Sequence, residues 1–399
     1  MKNAFFYFII FPFLGFINAI RNYRSSWAKP TIIAFVAFFG MSMIKNDTAD
    51  SSRYVENLET MYSTPQSFDT IKSSFYDEND SGQIDIYATL VTYTFSLFTD
   101  NGNLLFLFFG LIFGYFYAKN IWLVLDESKG RLLWTQGLLI ITFSLIIGFW
   151  SLNGVRMWTA AHVFFYGGFL YLYHNKKTGL LIALSSILIH FSFILPVGLL
   201  LLYSLGRFNF RLLYFFYIAS FFIVELNVSV IRTALENYLP DFIFPKVKSY
   251  LSDEYIEGVN EIMAGANWYI IYFQKFLSYF ILVFFSVIFL KVEIPKTVRK
   301  LAGFTLLFLT VSNVVSLLPS GSRFLNVAFL FAMASCFIIL VNTRVPIITK
   351  SVKLLSPLLF IFCLVSIRSC LDFFNITTLT NPFVVLFTDV DKPLIEFFK

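Results

Sequence analysis

Three residues whose side chains can handle protons or anions interrupt or open long apolar runs. Arg156 follows the short loop SLNG, His190 interrupts the run 178–206, and Arg323 follows the short loop LPSGS. Guanidinium stays charged at any accessible pH and forms paired bonds with phosphate oxygens, so two arginines on one side predict an anionic ligand. A lone arginine at a span end also has a plainer use, carrying its charge to the lipid headgroups. The short loops argue instead for side chains that enter the bundle. His190 offers a base or a hydrogen-bond donor near neutral pH, or a satisfied polar residue in an apolar helix. His162, on the same run as Arg156, is a second-rank candidate. His174, beside Lys176 and Lys177, reads as a solvated face.

The elements that position these residues must lie in a membrane. Of the 399 residues, 58% are hydrophobic and 14% are charged, against about 25% charged in soluble chains. That excludes a water-soluble enzyme. Apolar runs long enough for a ~30 Å hydrocarbon core recur along the chain. They are continuous rather than alternating, so they predict helices and not a barrel. The expected class is all-α, one polytopic domain over 1–399 with about 10–12 membrane-embedded helices and no soluble domain. The expected spans are 4–20, 30–44, 103–124, 131–149, 157–173, 178–206, 209–230, 268–290, 300–318, 323–341 and 354–370. The first run reads as a retained helix, without a clear cleavage site. Cys336, Cys363 and Cys370 lack ligand spacing and read as small core hydrophobes.

Lysine and arginine cluster in the connections after 20, 124, 173, 206, 290 and 341. The net charge of +6 therefore reads as topology control rather than nucleic-acid binding, with these connections in the cytoplasm. Residues 178–206 must then leave and return, yet 29 residues reach only about 43 Å. A short hairpin turning near His190 to Pro196 satisfies this; one long tilted helix is the alternative and would put Arg207 and Arg211 outside. Two polar segments, 45–101 and 232–266, are expected outside. The first is acidic, with Asp47, Asp50, Glu56, Glu59, Asp69, Asp77, Glu78, Asp80 and Asp85 outnumbering Lys45, Arg53 and Lys72, and its stretch 84–98 is expected at the interface as an amphipathic helix. Gly110 and Gly114 predict close helix packing. No phosphate-cradling loop, dinucleotide motif or metal-ligand cluster occurs, so no metal and no cofactor are expected. The triplet containing Asp389 and Asp391 is too short to carry an argument.

The segment LNGVRMWTAAHVFFYGGFLYLYHNKK, followed by LLIALSSILIHFSFILP, resembles the EpsG/Wzy group of bacterial polysaccharide polymerases. The matching features are an Asp-x-x-x-Tyr element (Asp50 to Tyr54), an Arg followed after ten residues by Gly (Arg156 and Gly167), a His-x-Ser (His190 and Ser192), and the later Arg323. They run in order over about residues 40 to 330. One element departs: no Gly follows Arg323 within fifteen residues.

The resemblance implies a GT-C-like, metal-independent, inverting glycosyltransferase of the bacterial cytoplasmic (inner) membrane, with its site facing the periplasm or exterior. Its donor and acceptor would be glycans on undecaprenyl diphosphate. Arg156 and Arg323 would stabilise the leaving diphosphate, and His190 or Asp50 would take the proton from the acceptor hydroxyl. Asp47, Arg53, Tyr54 and His162 are expected to contact substrate. Membrane lipids, a flippase and a chain-length regulator are the expected partners, with no nucleic acid. A flippase or transporter of the same lipid-linked sugars, an O-antigen ligase and a membrane acyltransferase are the competing classes. A transporter would favour internal repeats and midplane charges, and neither is visible.

Overall fold

The computed structural model describes residues 8–45, 50–74, 85–223, 232–233, 236–237, 252–265, 267–343, 345–388 and 392–398. Among them the chain is all-α, with no strand. The helices are α1 Pro12–Arg21, α2 Ala28–Ser42, α3 Asp50–Ser63, α4 Phe68–Ser74, α5 Ile86–Ser96, α6 Gly102–Leu125 and α7 Trp134–Ile146. They continue with α8 Val155–Leu172, α9 Lys177–Ile189, α10 Ile194–Leu205, α11 Phe210–Ser220 and α12 Asp253–Ala264. The last are α13 Trp268–Lys291, α14 Lys296–Val315, α15 Ser322–Thr343, α16 Pro346–Phe373 and the short α17 Pro382–Phe387.

Six apolar helical stretches are long enough to cross a bilayer: α6, Trp134–Leu172, α13, α14, α15 and α16. Four shorter apolar helices join them: α2, α9, α11 and the stretch Phe191–Leu205. In hydrocarbon each backbone N–H and C=O needs a partner within its own segment, and these helices supply it. Where a helix begins, a side chain often takes over. The Asn101 side chain accepts the N–H groups of Asn103 and Leu104 at the head of α6. The core is aromatic, with Phe164 in ring contact with Phe193, Phe304, Phe308 and Phe331.

The basic connections meet at one end of the helices. Arg24 donates to the Ser128 carbonyl at 2.6 Å. Tyr173 donates to Glu127 at 2.9 Å, and the Lys300 ammonium lies 4.6 Å from the Tyr171 ring centre. The stretch Trp134–Leu172 therefore runs up and back. The Leu132 N–H faces the Tyr23 hydroxyl at 3.5 Å, so both of its ends lie among these connections. The 3₁₀ turn Phe149–Gly154 makes the bend.

Residues 178–206 fold in the same way, as a hairpin of α9 and α10 broken at His190. Tyr203 packs on Gly303, low on α14, which returns α10 to the basic end. With 13 residues, α9 rises only about 20 Å, well short of a ~30 Å hydrocarbon core. His190 is buried, at the break that ends α9.

Small residues let the helices touch. A Cβ on Gly110 would stand 2.7 Å from the Val36 carbonyl oxygen, which accounts for Gly110 and Gly114 on α6 against α2. Gly167 on α8 meets the backbone of Gly179 and Ala183 on α9. Gly167→Val should push α8 and α9 apart and destabilise the protein by about 1–3 kcal/mol. Thermal unfolding in detergent measures this. Gly137→Ala is the control, because nothing lies within 4 Å of a Cβ there; its melting temperature should not fall.

Candidate functional site

The opposite end of the bundle carries α3, α5, the 3₁₀ turn before α8, the His190 break and the start of α15. At its centre is Asp85, a residue of the acidic segment that the sequence did not single out. Asp85 precedes α5 in the capping position, yet its side chain makes no cap bond to its own helix. Aspartate usually spends its carboxylate on such a bond. Here Oδ2 accepts from Arg156 Nη1 at 2.8 Å, and Oδ1 accepts the backbone N–H of Phe191 at 2.8 Å. One buried carboxylate therefore ties α5 to the first turn of α8 and to the break after α9. A buried charge persists only when paired and hydrogen-bonded, and both conditions are met.

Arg156 is held from a second side by α3. Its Nη2 lies 3.7 Å from Asp50 Oδ2, and its guanidinium stands 5.7 Å from the Tyr54 ring centre. Asp50 also lies 3.8 Å from Arg53, whose side chain is 69% exposed. Ser51 fastens α3 in place by donating to the Asn153 side chain at 2.7 Å. The Tyr54 ring is buried, and burial pushes its phenol up despite the nearby Arg156 charge, so the hydroxyl keeps its proton. Asp50, Arg53 and Tyr54 thus stand together on the first turns of α3, beside Arg156.

His190 sits in extended backbone between α9 and the 3₁₀ turn Phe191–Phe193. Its Nδ1 accepts the Ser192 backbone N–H at 3.3 Å and contacts the Ser192 hydroxyl at 2.8 Å. An Nδ1 that accepts from a backbone N–H places the proton of the neutral ring on Nε2. The His-x-Ser element therefore fixes a tautomer that donates. The charges of Asp85, Arg156, Arg323 and Asp50 all act on this ring. Arg323 lies in the first turn of α15, and its backbone N–H donates to the Ser320 carbonyl at 3.3 Å. The preceding Ser320 takes a left-handed φ of 60° and touches the Tyr255 hydroxyl of α12 at 2.6 Å. Part of the segment 232–266 thus lies at this end as well.

The structure separates His162 from this group. It is buried between α6 and α8, with Nδ1 3.2 Å from the Asn120 amide and Nε2 3.3 Å from the Ile147 carbonyl. The Phe113 ring packs edge-on to it at 4.9 Å. The expectation of a substrate contact fails on geometry. The step from Arg156 to His162 turns the side chain about 240° around the helix, onto another face. Asp47, Asp389 and Asp391 lie outside the described residues. All three cysteines are free and buried, as small core side chains.

Among the described residues no three His, Cys, Asp or Glu side chains group to hold a metal ion. What the arrangement presents to a ligand is cationic and donating: Arg156, Arg323 and the Nε2–H tautomer of His190, with the half-exposed carboxylate of Asp50 beside them. No family model, no curated protein and no solved structure matches this chain.

Proposed function

We propose that this protein polymerises lipid-linked oligosaccharide repeat units at the exterior face of the bacterial cytoplasmic membrane, as a GT-C-like, metal-independent, inverting glycosyltransferase. A hydroxyl of the non-reducing-end sugar on one undecaprenyl-diphosphate unit attacks the anomeric carbon of the glycan on another. The new C–O bond forms as the bond to diphosphate breaks, and undecaprenyl diphosphate leaves. The hydroxyl proton passes to a carboxylate, and Asp50 is the one we assign.

The observation that carries this reading is the clamp on Arg156. A buried carboxylate and an aromatic ring fix its guanidinium, and the same carboxylate holds the backbone N–H of Phe191, next in the chain to His190. Negative charge grows on the diphosphate as it departs, and preorganised donors in a water-poor site stabilise such charge most. His190 contributes a hydrogen bond from Nε2 in this scheme, not proton abstraction, because Ser192 occupies Nδ1.

Inactivating the gene in its own host tests the assignment. Polymerase loss should leave surface glycan of a single repeat unit and remove all longer chains. Disappearance of every surface glycan, single units included, would instead indicate a flippase or a ligase. His190→Gln separates donation from basicity within the same assay, since Gln keeps a donor and has no base. It should retain most polymer. A loss of about 10²- to 10⁴-fold in this variant would return the general-base role to His190.

A further inference from the structure

A second chemical site lies at the basic end, opposite Arg156. The turn 206–209 between α10 and α11 faces the turn 292–295 between α13 and α14 across a cavity of about 940 Å³. That lies within the roughly 300–1,000 Å³ usual for small-ligand sites. Its wall is cationic. Arg211, Lys291, Lys296, Arg299 and Lys300 line it, against the single carboxylate of Glu293.

Two helices begin on the cavity and strengthen its field. α11 starts behind the Asn209 side chain, which accepts the Arg211 N–H at 2.8 Å. α14 starts at Lys296 with no side chain capping its first turn. The first N–H groups of a helix have no partner within it and carry the positive end of its dipole. So many positive groups converging on one cavity repel one another, and a bound anion relieves that repulsion.

The surroundings decide what kind of anion fits. The walls are stiff and aromatic, with Phe208 stacked on Tyr203 at 5.5 Å and Phe289 stacked on Tyr214 at 4.2 Å. The helices bordering the cavity expose large apolar side chains: Leu205 at 88%, Phe215 at 68% and Leu290 at 69%. The cationic cavity thus borders an apolar helix surface, with Lys291 closing the 24-residue α13, a helix long enough to cross a hydrocarbon core. A free phosphate in solution would use the cations and gain nothing from that flank. A lipid uses both.

We infer that this cavity binds the phosphate headgroup of an anionic phospholipid, with the acyl chains lying along the exposed faces of α11 and α13. The inference concerns the leaflet at the basic end and stands independently of the reaction assigned to the other end.

The test uses the full-length protein purified in neutral detergent, with native mass spectrometry and thermal unfolding as readouts. The probes are phosphatidylglycerol, cardiolipin, phosphatidylcholine and inorganic pyrophosphate. Wild-type protein should retain the two anionic lipids and melt higher with them, and gain nothing from phosphatidylcholine. Arg211→Gln combined with Lys291→Gln and Lys296→Gln should weaken anionic-lipid retention about tenfold or more; all three side chains are exposed, so the variant should melt like wild type without lipid. Lys129→Gln with Arg131→Gln, in a different basic connection, should leave retention unchanged. Equal retention by the triple variant, or an equal loss in the Lys129 and Arg131 variant, would overturn the assignment. So would pyrophosphate that binds at comparable concentration and displaces the lipid, since that outcome marks a site for soluble phosphates.

Discussion

Arg156→Ala should abolish chains longer than one repeat unit while lipid-linked single units accumulate. Two effects add. Loss of a donor aimed at developing charge costs about 10²–10³ in rate. Loss of the partner of Asp85, whose side chain is 5% exposed, leaves an uncompensated buried charge worth about 3–5 kcal/mol of stability. The second effect alone could remove the protein from the membrane, so a companion variant is needed. Arg156→Met combined with Asp85→Asn removes both charges and keeps an acceptor for the Phe191 N–H. It should recover expression and melting temperature but not polymer. Arg156→Lys keeps a point charge and loses the planar fork that meets Asp85 and Asp50 from two sides, and should rescue poorly. Wild-type chain lengths from the Met/Asn pair would remove Arg156 from the site.

Asp85→Asn on its own should lower the polymerisation rate about 10²-fold with little loss of protein. Asp85 touches no reacting atom in this scheme; it positions. Asparagine still offers an oxygen to Phe191, so the break after α9 stays anchored, while the charge that holds the guanidinium is gone. A misplacement of about 1 Å in a binding group is enough for such an effect. The distinguishing readout is the affinity for the donor lipid against the turnover of bound donor. A positioning role predicts that turnover falls more than affinity. Unchanged turnover with a lowered melting temperature would assign Asp85 to architecture only.

The apolar runs were legible because a hydrocarbon solvent leaves the backbone few choices, and α6, α13, α14, α15 and α16 lie close to where length and composition put them. Arg156, His190 and Arg323 were legible for the same reason: an ionisable group beside an apolar run is costly and stands out. Asp85 did not stand out. It is one carboxylate in an acidic segment, and only tertiary contact shows that it is buried against Arg156. Its one visible signal is its place directly ahead of the apolar run Ile86–Ser96. His162 misled because α8 is apolar nearly all round, so its sequence does not say which face meets the site. The 29 residues of 178–206 are too few for two full crossings, which made the hairpin and its turn near His190 legible, whereas the contact of that break with Asp85 was not.

The most direct measurement is polymerisation by purified protein given undecaprenyl-diphosphate-linked repeat units as sole substrate, in excess chelator, with glycan length followed by electrophoresis. The account predicts a ladder of multiples of the repeat unit, with one undecaprenyl diphosphate released for each bond formed. Substrate left at a single repeat length by protein that is folded, with or without divalent ions, would contradict the assignment; a ladder that appears only when a divalent ion is restored would contradict charge stabilisation by Arg156 and Arg323.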